Sequence, residues 1–254
     1  MKTNYLLPIR YVFAIMFMSF LFQLPAQNAL IAASDQLPVI PEASDIRSSA
    51  SSGCDYILDD GITDINIGLG AAGDFMWLNS FTAIPGCENI HMVSIIWGNV
   101  PNGTATRIIL YDDLDNDGNP SDAVYLAEIS VNITDANTGL FVDYPFPATT
   151  VTDGYFVAVL TENQPWDIYA AALDMTVSNM SSYFVESYTG GAIDVSNLMN
   201  NDTPPTLVED VGFPGNWIVR AQGEPVLPVP LSNAGIILGF LLMGTIVVFG
   251  RKLI

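Results

Sequence analysis

The residues best suited to chemistry are the acidic run YDDLDNDGNPSDA, Tyr111 to Ala123. Asp113, Asp115 and Asp117 fall at alternate positions, and Gly118 follows. That spacing lets three carboxylates converge on one hard cation while the glycine makes the turn, as in calcium-binding loops. Asn119, seventh from Asp113, can add a backbone carbonyl, and Asp122 a further carboxylate. The twelfth position is Val124, where such a loop carries a carboxylate. Two readings therefore stand. One is a structural calcium held by Asp113, Asp115, Asp117, Asn119 and Asp122. The other is a plain turn between strands, with Asp and Asn side chains capping the backbone.

Other constellations are weaker. His91 is the single histidine, beside Met92 in a strand-like run with no nucleophile elbow in the chain, so a Ser-His-Asp arrangement has little to build on. Adjacent acids occur at Asp59-Asp60, Asp112-Asp113 and Glu209-Asp210. Glycoside hydrolysis depends on two carboxyls facing each other across a cleft, which adjacency does not provide. There is no phosphate loop, dinucleotide fingerprint or zinc-protease helix. No catalytic residue is expected. Of Trp77, Trp97, Trp166 and Trp217, the one placed for surface recognition is Trp166, in the loop-like sequence ENQPWD. The other aromatics are expected to pack in the core or across strands.

Charge and cysteines bound the setting. Between Gln27 and Glu224 three arginines, Arg47, Arg107 and Arg220, face all 27 acidic residues, a net charge of −24 with no lysine. Such a field repels nucleic acid and anionic lipid, and favours solubility and cations. Cys54 and Cys87 are the only cysteines. In an oxidising compartment they are expected to form one disulfide, stabilising the domain by about 3–4 kcal/mol in the chain-entropy account. Two cysteines and one histidine are too few for zinc.

The elements that position these residues read as strands. Tyr125, Ala127, Ile129, Val131 and Ile133 alternate with more polar neighbours, and Leu140, Val142, Tyr144 and Phe146 repeat the pattern. Gly154 to Leu160, GYFVAVL, is apolar on both faces and suits a central strand. Further strands are predicted at Phe75–Ile84, Met92–Trp97, Ala105–Tyr111, Asp167–Leu173, Ser182–Tyr188 and Asn216–Ala221. Gly, Pro, Asn and Asp separate them at the spacing of a sandwich. The expectation is all-β: a single sandwich or jelly-roll-like ectodomain over 53–223, flanked by an N-terminal signal helix and a C-terminal transmembrane helix.

Residues 1–26 have the three parts of a secretory signal: Lys2 and Arg10, an apolar run from Tyr11 to Leu24, and small Ala26 before Gln27. Residues 27–52, rich in Ala, Ser and Pro, are expected to be a flexible lead-in. Residues 224–233 form a Pro-rich linker, and 234–254 an apolar run ending in Arg251 and Lys252. Its 17 uncharged residues, Ala234 to Gly250, span about 26 Å as a helix against a hydrocarbon core of roughly 30 Å. The basic pair places the tail on the cytoplasmic side.

This order of short motif, apolar helix and basic end resembles the C-terminal sorting signals of exported bacterial proteins handled by exosortase-type enzymes. The motif is Val229-Pro230-Leu231-Ser232-Asn233, without the Pro-Glu-Pro triplet of the best-known class. A removable sorting signal and a permanent anchor both remain open. The stretches FTAIPGCENIHMVSIIWG, DLDNDGNPSDA and GNWIVRA are similar to those of exported bacterial β-domains. The resemblance implies an envelope location with the ectodomain outside the cytoplasm, a membrane partner and a sorting protease. The expected role is non-enzymatic: an interaction or adhesion module for a surface glycan or protein. Its rivals are a carbohydrate-active hydrolase using surface carboxylates and a ligand-free structural display domain.

Overall fold

The apolar run after Gly154 forms the strand Gly154–Gln164, whose first eight residues are all buried. A strand is buried on both sides only when each face of its sheet is covered. The computed structural model, which describes residues 31–34, 54–188 and 191–224, shows both covers. In chain order the strands are β1 (Ile31–Ser34), β2 (Asp55–Tyr56), β3 (Ile65–Leu69), β4 (Gly73–Thr82), β5 (Asn89–Asn99), β6 (Ala105–Asp113), β7 (Val124–Asn132), β8 (Phe141–Thr150), β9 (Gly154–Gln164), β10 (Tyr169–Asp174), β11 (Ser182–Ser187), β12 (Thr203–Leu207), β13 (Asn216–Trp217) and β14 (Val219–Glu224). The only helical pieces among the described residues are 3-10 turns at Pro120–Asp122, Leu198–Asn200 and Val208–Val211.

The strands form two antiparallel sheets, a β-sandwich. One runs β12-β11-β4-β9-β6-β7. The other runs β1-β3-β10-β5-β14-β2, with β13 added on β10 and β8 on β5. Side chains alternate across a strand, and the first sheet uses both sets. Phe75, Trp77, Ile108, Leu110, Val157, Val159 and Phe184 enter the core shared with Val93, Ile95, Trp97, Leu173 and Trp217 of the other sheet. The intervening Met76, Leu78, Ile109, Tyr111, Phe156, Ala158, Leu160 and Val185 form a second core on the outer face, covered by Ile193 and Leu198. Edge strand β7 has no such cover over its length, and its residues are half-buried or exposed.

The disulfide joins Cys54 and Cys87, with Cα atoms 5.4 Å apart. It ties the start of β2 to the turn before β5. Tyr56 stays on the same turn: its hydroxyl donates to the Cys87 carbonyl at 2.9 Å and accepts from the Ile84 amide at 3.1 Å.

Three expectations change. The lead-in contributes β1, which pairs with β3 from Ile31↔Leu69 to Ser34↔Asn66, because the short apolar run IAAS can complete that sheet edge. The stretch Asn216–Ala221 is divided into β13 and β14, the first pairing with β10 and the second with β5. Strands β2, β3 and β12 were not expected. The signal segment 1–26, the motif Val229, Pro230, Leu231, Ser232 and Asn233, and the apolar tail with Arg251 and Lys252 lie outside the described residues. Among the described residues no helix is long and apolar enough to cross a membrane.

Candidate functional site

The acidic run lies at one end of the sandwich, where β6 ends and a loop leads through the 3-10 turn Pro120–Asp122 into β7. The last residue of β6, Asp113, is 1% exposed, whereas Asp115, Asp117 and Asp122 face solvent. One carboxylate oxygen from each of the four lies within 4.8 Å of the others. The fold of the loop follows from its side chains. Asp113 Oδ2 accepts from the Gly118 amide at 2.9 Å, and Asp117 Oδ1 accepts from the Asn119 amide at 2.7 Å. Asn119 Oδ1 accepts from Ser121 at 3.1 Å, capping the 3-10 turn. Two residues adopt left-handed backbone, Asn116 at φ +55° and Gly118 at φ +77°, conformations that Asn and Gly tolerate best.

The 3-10 turn brings Asp122, tenth from Asp113, into the position that Val124 cannot fill. The side chain of Asn119 is spent on the cap rather than aimed into the cluster. Burial raises the Asp113 carboxyl above its ordinary range; the Gly118 amide pulls it down, and neighbouring Asp115 pushes it up again. Its Oδ1 is buried without a hydrogen-bond partner. The loop rests on β9, since a methyl group on Gly154 would lie 2.6 Å from Asn116 Oδ1 and 3.0 Å from Asp113 Oδ2. Beside it a cleft of about 490 Å³ opens, lined by Asn116, Asp117 and Gly118 together with Ser80, Thr82 and Ile57 among others.

A second site lies around Trp166. Of the four tryptophans, Trp77, Trp97 and Trp217 are buried, whereas Trp166 is 65% exposed. It occupies the tip of a turn closed by the Ile168 amide donating to the Pro165 carbonyl at 3.2 Å. Pro165 and Ile168 also line a pocket of about 150 Å³, together with Val100, Thr104 and Gln164. Gln164 is buried, and both polar atoms of its amide lack a hydrogen-bond partner. Sequence reasoning missed this pocket because its walls come from separate segments. Its one local trace is the sequence ENQPWD, which interrupts an otherwise apolar strand.

Several of the other acids have structural partners. Asp59, with no side-chain exposure, binds Arg220 through Oδ1 at 2.6 Å from one terminal guanidinium nitrogen. Burial raises the Asp59 carboxyl, partly offset by that guanidinium. Arg220 also stacks over the Phe141 ring at 4.1 Å. Asp60 accepts from the Ile62 amide, Asp112 from the Thr152 amide and hydroxyl, and Glu209 from the Ser178 hydroxyl. In the pairs Asp59-Asp60 and Asp112-Asp113 the two carboxylates are thus held by different partners. His91 lies half-buried in β5, with Nδ1 buried and without a partner. Comparison with protein-family models, curated proteins and solved structures finds no match.

Proposed function

We propose that this chain is an exported cell-surface protein whose β-sandwich is a non-enzymatic interaction domain, and that it takes a neutral glycan on the Trp166 face. The observation that carries this reading is the exposure of Trp166 beside a small pocket, when every other tryptophan is in the core. An indole presents a flat apolar face with a polar edge, which suits the C–H face of a pyranose. Gln164 lines this pocket, and its buried amide holds a donor and an acceptor, both unspent. A turn of its side chain would offer both to sugar hydroxyl or acetamido groups. The net charge of −24 between Gln27 and Glu224 disfavours anionic glycans.

Export is supported by the signal-like residues 1–26 and by a disulfide, the usual mark of an oxidising compartment. The Val229–Asn233 motif, the apolar run and Arg251-Lys252 make a sorting protease or a permanent membrane anchor the means of retention. A glycan array followed by calorimetry on the purified ectodomain tests the binding role. Neutral oligosaccharides are expected to bind, and Trp166→Ala to lose at least ten-fold in affinity, about 1.4 kcal/mol, without a change in Tm. Absence of binding to every glycan would favour a ligand-free display domain. Release of reducing sugar, abolished by replacing one acid in a folded protein, would favour a hydrolase.

A further inference from the structure

We propose that the β6–β7 loop binds one calcium ion through the carboxylates of Asp113, Asp115, Asp117 and Asp122, and that the ion clamps this end of the sandwich. Four oxygens gathered within 4.8 Å can all contact a cation whose oxygen ligands lie at about 2.3–2.6 Å. Four negative charges at that separation repel one another unless something positive stands between them. Among the described residues no basic side chain does so: the ion pairs formed by Arg107 go to Glu128 and Glu162, and that of Arg220 to Asp59.

The second observation is Asp113 itself. It is almost wholly buried, one oxygen is spent on the Gly118 amide, and Oδ1 has no partner. A buried carboxylate oxygen left without a partner costs free energy that a bound cation returns. Capping the Gly118 amide uses one oxygen of Asp113 and leaves the other buried and unspent. Asp122 is exposed and no backbone amide among the described residues donates to its carboxylate, which leaves that carboxylate available to a cation.

Calcium fits better than magnesium. Four carboxylates on a surface loop suit a large ion with six to eight flexible oxygen ligands, whereas magnesium demands a tight octahedron and keeps its waters. The positions left over fall to backbone carbonyls and water. The ion would join the end of β6, the loop and the 3-10 turn, and so fix the Asn116–Gly118 wall of the 490 Å³ cleft.

The test uses the metal alone. Chelator-treated protein is titrated with calcium, with magnesium at matched ionic strength, and with terbium, whose luminescence nearby tyrosines sensitise. One calcium per chain is expected, with Tm rising by roughly 5–10 °C at saturation and a much smaller rise with magnesium. Asp122→Asn should keep the fold, raise the Tm of the metal-free protein by relieving repulsion, and remove both the calcium shift and the terbium signal. Asp115→Asn repeats the loss at a second exposed position. A calcium shift no larger than that of magnesium, or one retained in the Asp115→Asn/Asp122→Asn double variant, would overturn the proposal.

Discussion

At the scale of single residues, two positions show how an acidic chain handles buried charge. Asp59 is fully enclosed and tolerated because Arg220 reaches it and is itself held over Phe141. Removing one partner of a buried pair leaves the other charge stranded, at a cost of about 3–5 kcal/mol. Arg220→Ala should therefore lower stability in urea by that amount, while the paired change Asp59→Leu/Arg220→Met should recover most of it. An Arg220→Ala protein as stable as the parent would mean that Asp59 is protonated or rehydrated. Gly154 makes a steric claim. A methyl group there meets Asn116 and Asp113, so Gly154→Ala should destabilise by roughly 1–3 kcal/mol. An unchanged urea midpoint would mean that the loop does not seat on β9. The acidic cluster was legible at this scale because its carboxylates are close in sequence: alternate Asp, then Gly, with Asp122 within reach of a short turn. The exposure of Trp166 was legible from its polar, Pro-containing neighbours. The Gln164 pocket was not, because residues near 100 and residues 161–168 meet only after the strands pair.

At the scale of elements, burial on both faces explains which strands could be read from the sequence. Strands β6 and β9 lie inside their sheet and keep near-continuous apolar runs, and their predicted positions agree with the structure. Strand β12, TPPTL, carries Pro204 and Pro205 and reads as a loop. It is a strand because it sits at the sheet edge, where a missing amide costs no ladder bond on the open side. Strand β3 is only five residues long and includes buried Asn66 and Gly68. A methyl group on Gly68 would fall 1.9 Å from the Ile168 carbonyl oxygen, so the need for close approach overrides strand propensity there. In the central strand, Phe156→Ala should cost about 3–5 kcal/mol, measured by urea unfolding. A loss below 1 kcal/mol would show that the outer core is not packed.

Buried tyrosines on these strands also set the alkaline limit. Burial raises Tyr111, Tyr144 and Tyr155 above the ordinary phenol value near 10. A group whose folded pKa is raised contributes stability that is full below its unfolded pKa and is lost as pH climbs through the folded one. The domain should therefore weaken progressively above about pH 10. Phenolate absorbance from these buried rings should appear together with unfolding. Phenolate formation well before unfolding would contradict their burial.

At the scale of the whole molecule, the described residues combine a two-sheet sandwich with one disulfide, in a chain of large negative charge. Cleaving Cys54–Cys87 should cost about 2–5 kcal/mol, read as a lower urea midpoint in reductant. An unchanged midpoint would show that the β2–β5 junction holds without it. The central claim is export with retention at the surface, and intact mass of the native protein from cytoplasmic, membrane and released fractions tests it most directly. The expected result is a chain that begins near Gln27, is absent from the cytoplasm, and gains about 2 Da on reduction as one disulfide becomes two thiols. A chain retaining Met1 to Ala26, found in the cytoplasm with free thiols, would contradict it.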